Sequence, residues 1–478
     1  MNDSSTRHIL TVIGLAFGIL LLLSVLPWSE LTGNVIKDFD LFEDIFPKQY
    51  KQTTASTQQI SDPELAELMS GADINVDETV NAGGNGGAAA DSSATESDST
   101  KTAEAAAIYA DSLDTTDGPA KIENYGSGSV LSRFRAALAQ AGTRRVRVGI
   151  IGDSFIEGDI LAADLRDLLQ QRYGGSGVGY MAMHSDFPGF RKSVRQSDNG
   201  WTMHDIRTMA RHDTLRTLSG DYGIGTTGAT AKYKASSYAA GTKGWSRSSF
   251  SFIAPTAGTI TLTTDGDSRT FDIAASGDMQ TVSVDGTTAT LSIKSGIEGL
   301  VGLGAYLDGT AGVQVDCMSI RGNSGLAHRR LNKTLCRQMA RYADYDLIIV
   351  EFGTNALSAE QTDYTPYMQG MLQSIRRLQE CYPNADILVM SVGDRGVKVG
   401  TEVHSLPTCN AMIKAQRELA RRKQTCFWNT RKAMGGPGSS ADWRKRRLMN
   451  ADYIHLNHDG GRELARLLYE ALENAVDE

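Results

Sequence analysis

The feature that most constrains this chain is an alternation. Four short apolar runs, "RRVRVGII" (144–151), "YDLIIVEFG" (345–353), "DILVMSVG" (386–393) and "TCFWNT" (425–430), are separated by segments with helical apolar spacing. Those segments include "GSVLSRFRAALAQA" (128–141), "GDILAADLRDLLQQRYGG" (158–175), "YTPYMQGMLQSIRRLQECY" (364–382) and "DGGRELARLLYEALENAV" (459–476). Strands without polar alternation are buried on both faces, and strands that alternate with helices pair in parallel beneath them. The expected fold class is therefore α/β, with helices on both faces of a parallel sheet.

Three stretches break this rhythm. Residues from about 186 to 320 are rich in Gly, Ser and Thr, and "SSFSFIAP", "GTITLTTDG", "QTVSVDG" and "ATLSIKSG" follow one another with turn signals between them. That texture predicts an antiparallel β-sandwich inserted into the α/β domain. Residues 51 to about 120 are dominated by Ala, Ser, Thr, Asp and Gly, too few apolar groups to offset ordering entropy, and predict a flexible acidic tether. Ile9 to Leu26 is an uncharged apolar run at the lower limit of a membrane span, followed by Trp28 and no convincing cleavage site. It is read as an uncleaved transmembrane anchor in preference to a cleaved signal, and either reading exports the remainder.

Composition excludes several functions. A net charge of −8 argues against nucleic-acid binding, which needs clustered positive charge. The five cysteines never form a C-x-x-C pair, so neither a zinc site nor a disulfide framework is indicated, although one bridge fits an oxidising compartment. "GGSGVG" lacks the Gly-Lys-Ser/Thr ending of a phosphate loop.

The candidate chemistry lies where apolar runs end. The run before "GDSFIEGD" stops on Gly152-Asp153-Ser154, ahead of a predicted helix. A hydroxyl beyond the carboxyl end of a parallel strand stands where such sheets bind ligands, although Asp153 or Ser154 could simply cap the helix. A serine nucleophile needs a base, and the base needs an orienting acceptor. Of eight histidines only His455, in "NADYIHLNHDGG", has a carboxylate three residues away in a loop before a helix, Asp452; His458 is its local competitor. Donors for a developing oxyanion are expected at Asn355 in "EFGTNA" and at the backbone N–H of Gly325 in "RGNSGLA", with Gly322 as the competing glycine. Trp201 and Trp245 could stack on sugars or pack a core, and the basic stretch "DWRKRRLMN" is read as a solvated face rather than a glycan site.

Gly152-Asp153-Ser154, the glycine of "GNSG", "GTN" and the "DYIH" pair occur in the order of the four signature blocks of the SGNH (GDSL-type) hydrolases, which the chain resembles over about 125–185 and 320–478. The resemblance implies a flavodoxin-like three-layer fold. It implies Ser154 as nucleophile, His455 as general base and acid, Asp452 as orienter, and Ser154, Gly325 and Asn355 as the oxyanion hole, with no metal or organic cofactor. The long gap between the first two blocks is similar to the peptidoglycan O-acetylesterase branch, which carries a carbohydrate-binding-like β-domain there. The expected organisation is a cytoplasmic stub and anchor at 1–28, a linker at 29–120, hydrolase parts at 121–185 and 321–478, and the β-insert at 186–320. The expected function is an exported, membrane-tethered serine esterase acting on an acetylated cell-envelope glycan, peptidoglycan first. An O-acetyltransferase with the same triad, supplied by an acetyl-donating membrane protein, and a noncatalytic glycan-binding protein remain as alternatives.

Overall fold

In the computed structural model, which describes residues 119–477, the first apolar run becomes a strand buried along nearly its whole length. That strand is β2 (Arg145–Gly152); a two-residue strand, β1 (Glu123–Asn124), and helix α1 (Ser132–Leu138) precede it, and α2 (Ala162–Tyr173) follows. Next come β3 (Gly179–Met181), β4 (Val194–Asp205), β5 (Asp221–Ala235), β6 (Trp245–Ala254), β7 (Gly258–Thr264), β8 (Asp267–Ile273), β9 (Ser276–Thr288), β10 (Thr290–Ser295) and β11 (Leu300–Asp308). The α/β rhythm resumes with β12 (Gly312–Ser319), α3 (Lys333–Ala340), β13 (Leu347–Glu351), α4 (Thr365–Cys381) and β14 (Asp386–Met390). A small hairpin of β15 (Gly396–Val399) and β16 (Glu402–Ser405) leads to α5 (Cys409–Lys423), β17 (Cys426–Trp428), α6 (Thr430–Met434), α7 (Ser439–Lys445) and α8 (His458–Asp477).

Six strands form one sheet in the order β1-β17-β14-β13-β2-β12, parallel except for β1 at its edge. Counting only the parallel strands along the chain, the order is 2-1-3-4-5, the flavodoxin-like doubly wound pattern. Successive side chains point to opposite faces. In β13, Leu347 and Ile349 pack with Phe134, Leu165, Leu169, Leu464 and Leu468 on one side. Ile348 and Val350 pack with Met371, Ile375, Leu378 and Met412 on the other. Each fully buried aliphatic side chain contributes roughly 1.5–3 kcal/mol, which is why the sequence shows uninterrupted apolar runs here.

The remaining large strands, β3 to β11, join in a single antiparallel sheet, ordered β8-β7-β10-β5-β11-β6-β9, with β3 on β11 and β4 on β5. The expected two-sheet sandwich is thus one continuous hydrogen-bonded sheet. The long strand β5 pairs with β4 along one edge, and along the other with β10 through Thr230–Lys234 and with β11 through Gly223–Gly225. A register shift between Gly302 and Gly304 helps the sheet bend around its own core. Its limits also differ from the expected 186–320. β3 already belongs to it, whereas β12 belongs to the parallel sheet. Trp201 and Trp245 are buried in its core and offer no exposed platform.

The two sheets share apolar cores. Ile206, Tyr222 and Leu303 of the antiparallel region pack with Ile320, Leu335 and Met339 of the α/β region. A buried ion pair crosses the same junction. Arg147 of β2 meets Asp308 at 2.5 Å and Asp316 at 2.8 Å, and all three side chains are at most 2% exposed. The five cysteines are buried and unbridged. The expectations for residues 1–118, the apolar run Ile9–Leu26 included, lie outside the described residues. No helix among the described residues is long and apolar enough to cross a membrane.

Candidate active site

The carboxyl ends of β2 and β13 lie side by side where the strand order reverses, the crevice in which open α/β sheets bind ligands. Gly152 closes β2. A Cβ there would lie 2.7 Å from the Glu351 carbonyl oxygen and 2.8 Å from Ile156 Cδ1, so only glycine permits this approach. Asp153 follows, fully buried. One of its carboxyl oxygens accepts from the Phe155 N–H at 2.8 Å, and the other accepts from Asn355 Nδ2 at 3.0 Å. Asp153 therefore fixes both the turn that presents Ser154 and the amide that follows β13.

Ser154 does not open the α-helix directly. A turn and the short 3-10 segment Glu157–Asp159 intervene, with positive φ at Gly158 and Asp159, and α2 starts at Ala162. The serine hydroxyl stands 2.9 Å from His455 Nε2, across 301 positions of sequence. His455 Nδ1 lies 2.8 Å from Asp452 Oδ2, while Asp452 Oδ1 accepts from the N–H groups of Ile454 and His455 at 3.0 Å each. A proton on Nδ1 donated to Asp452 leaves Nε2 as an acceptor for the serine hydroxyl. The loop is clamped from outside: Asn450 N–H donates to the His455 carbonyl, and Gly396 N–H donates to the carbonyl of Tyr453, which adopts φ 59°. The structure thus brings Ser154, His455 and Asp452 into one hydrogen-bonded chain. His458 is not part of it; it begins α8 beside the Phe190 ring.

The expected oxyanion donors are close together but engaged. Gly325 N–H, expected to be free, donates to Asn323 Oδ1 at 2.8 Å, and Asn355 Nδ2 donates to the Asn323 carbonyl at 3.1 Å as well as to Asp153. Gly325 has φ 85°, and a Cβ there would lie 2.6 Å from the Phe352 ring, so this position requires glycine. Gly322, the competitor, lies in the preceding turn with φ 72°. Asn323, which touches both donors and is buried, was not singled out by sequence reasoning, which took only the glycine from "GNSG".

Electrostatics beneath the serine are unusual. Burial pushes the Asp153 carboxyl up to about 7 against the pull of the Phe155 N–H, His455 and Asn355. Glu351, at the end of β13, is fully buried, and neither carboxyl oxygen meets a donor in good geometry. Burial, then the neighbouring Asp153 charge, hold it well above the usual carboxylate range. Asp452 goes the other way. Burial pushes it up, but the hydrogen bond and charge of His455, with the two backbone N–H groups, outweigh that and hold it low. No group of three or more His, Cys, Asp or Glu that could hold a metal occurs among the described residues.

A hydroxyl–imidazole–carboxylate chain over the switch point of a 2-1-3-4-5 sheet defines an SGNH-type α/β hydrolase fold. Residues 283–462 match the GDSL-like Lipase/Acylhydrolase family. The matched range includes Gly325, Asn355, Asp452 and His455 and stops short of Ser154, which the intervening sheet separates from them in sequence. Among solved structures, one described as a peptidoglycan O-acetylesterase in action is 24% identical, with a TM-score of 0.62 over 74% of this chain and 99% of that one. A family two carbohydrate esterase from Cellvibrio japonicus is 13% identical, with a TM-score of 0.25 over 60% of this chain and 98% of that one. An acetyl xylan esterase is 18% identical, with a TM-score of 0.27 over 34% and 81%. The first shares the fold; scores as low as the other two carry no fold inference. No curated protein matches the chain in sequence.

Proposed function

We propose that the protein is a serine esterase that removes O-acetyl groups from a cell-envelope glycan, peptidoglycan first, through an acetyl-serine intermediate. The observation that carries this reading is the Ser154–His455–Asp452 chain, with contacts of 2.9 and 2.8 Å, at the switch point of the sheet. Ser154 Oγ attacks the acetyl carbonyl carbon as its proton passes to His455 Nε2, and Asp452 steadies the imidazolium through Nδ1. The oxyanion is held by the N–H of Ser154, the N–H of Gly325 and Asn355 Nδ2; at Gly325 it takes the place of Asn323 Oδ1. The C–O bond to the sugar breaks as Nε2–H protonates the leaving sugar oxygen. Water, losing a proton to the same nitrogen, then cleaves the acetyl-serine, releasing acetate and restoring the hydroxyl.

We extend the proposal to location: Ile9–Leu26 anchors the chain and the catalytic part faces outward, a placement that rests on the sequence alone. The test uses the purified full-length chain. It should hydrolyse p-nitrophenyl acetate and release acetate from acetylated cell wall, and Ser154→Ala should abolish both. Equal rates for variant and parent would remove the esterase reading. Acetyl transfer to a chitooligosaccharide in place of acetate release would identify a transferase instead.

A further inference from the structure

The antiparallel sheet is built against the α/β region so that the two enclose a cleft of about 270 Å³. One wall comes from the α/β loops: Glu157, whose N–H donates to the Ser154 carbonyl, and Arg321, two residues before Asn323. The other wall comes from the antiparallel region and its entry loop, with His184, Phe187, Asp205 and Arg207. The cleft therefore adjoins the turn from Ser154 to Glu157 and the segment that leads to Gly325. A shared apolar core of Ile206, Tyr222, Leu303, Ile320 and Leu335 joins its two walls.

Phe187 stands out. Only it and Val399 are large apolar side chains left exposed among the described residues, and Phe187 is 46% exposed. The Arg321 guanidinium sits 5.0 Å from its ring centroid. A lone exposed aromatic is too small a patch to seat an apolar partner, but it is the size of one sugar ring's apolar face. The charged groups around it are largely engaged with one another: Arg321 with Glu157 at 2.5 Å, Arg207 with Asp205 at 2.6 Å, and His184 between two carboxylates, Asp198 at 2.9 Å and Asp186 at 3.1 Å. Arg191 lies 3.4 Å from Asp159. These pairs leave carboxylates in excess, five against three guanidinium groups in the lining, so they do not draw an anion. They still offer fixed carboxylate acceptors and guanidinium N–H donors to hydroxyl groups. The volume lies just under the roughly 300–1,000 Å³ of small-molecule sites, room for a sugar unit and not for a folded partner.

We propose that this cleft is a subsite for an uncharged sugar unit of the glycan strand, neighbouring the unit that carries the acetyl ester, stacked on Phe187 and hydrogen-bonded by the Glu157–Arg321 and Asp205–Arg207 pairs. It rests on the glycan reading of the Ser154 site and adds to it which surface reads the polymer. The inserted sheet then acts as the second wall of the substrate groove.

The test measures binding without turnover. The full-length chain carrying Ser154→Ala is titrated with chitotetraose by calorimetry, alone and combined with Phe187→Ala or Phe187→Tyr. The single variant should bind; Phe187→Ala should raise Kd about tenfold, and Phe187→Tyr should retain binding. Failure of the Ser154→Ala chain to bind the tetrasaccharide, or equal binding by the Phe187→Ala chain, would overturn the subsite. A parent that hydrolyses p-nitrophenyl acetate under those results keeps its esterase assignment. A parent that lacks esterase activity but loses chitotetraose binding on Phe187→Ala keeps the subsite and loses the esterase.

Discussion

Asp452→Asn isolates what the carboxylate does for the imidazole. Asp452 accepts three hydrogen bonds, one from His455 Nδ1 and two from backbone N–H groups. An asparagine has a single acceptor oxygen and must choose. With its oxygen on the backbone pair, its NH2 faces Nδ1 and selects the tautomer with the proton on Nε2, which cannot take the serine proton. Turned over, it restores the productive tautomer but leaves the two backbone N–H groups facing a donor, at about 1–3 kcal/mol each. The productive orientation is thus disfavoured by about 2–6 kcal/mol, or roughly 30-fold to 10⁴-fold. The comparable substitution in a serine protease triad lies at the upper end, near 10⁴. Initial rates of p-nitrophenyl acetate hydrolysis at neutral pH, with thermal melting to establish folding, should show kcat reduced within that range. A folded variant that keeps kcat within about threefold of the parent would refute the tautomer argument and the role given to Asp452.

Other substitutions probe the same rim. Asn355→Ala removes the amide that binds Asp153 and the Asn323 carbonyl; it should lower kcat by about 10²–10³, and a change confined to KM would contradict its place in the oxyanion hole. Glu351→Gln tests the buried carboxyl pair. Because Glu351 is held well above its ordinary value of 4.5 and Asp153 is raised to about 7, the unfolded chain loses these protons first. The parent should therefore lose stability as pH climbs from the ordinary carboxylate range toward neutrality, and the variant should show a shallower fall of Tm across that window. Identical slopes in thermal melts would show that Glu351 does not titrate as argued.

Sequence exposed those parts of the fold whose burial is uniform, and hid those where a polar group is buried with a partner. β13 and β14 are apolar on both faces, and their continuous runs disclose a central parallel sheet. β12 lies in the same sheet yet reads "GVQVDCMS", because Gln314 and Asp316 face the buried Arg147 and its surroundings, and Asp316 also accepts from the Tyr180 N–H. Its alternation imitates a half-exposed antiparallel strand, which is why the expected boundary fell after it. The helix expected from Gly158 starts only at Ala162 for a similar reason: Asp159, with φ 68°, turns its carboxylate to Arg166 and Ser193. Ser154, Asp452 and His455 were legible because each stands in a short local pattern at the end of an element. Asn323, Glu351 and the His184–Asp198 contact were not, since their significance arises only when segments distant in sequence are folded together.

The same contacts explain how so long an insertion leaves the rim that carries Ser154 intact. Loop-closure entropy rises only with the logarithm of length, about 0.6 kcal/mol per doubling, so the extra sheet imposes little cost on the crossover from β2 to β12. Its two ends also leave side by side: β3 pairs with β11, with Gly179 opposite Leu307 and Ala305 opposite Met181. To the parallel sheet the insertion is therefore a short crossover, whatever its length. Arg147 then ties the end of β11, through Asp308, to the strand that presents Ser154. Removing one partner of a buried pair strands the other charge at about 3–5 kcal/mol, so the antiparallel region cannot part from β2 without disturbing the strand beneath the serine. A separately tethered module would be free to move; the antiparallel region is instead held to the strand that presents Ser154, which favours the proposed shared substrate groove over an independent glycan anchor.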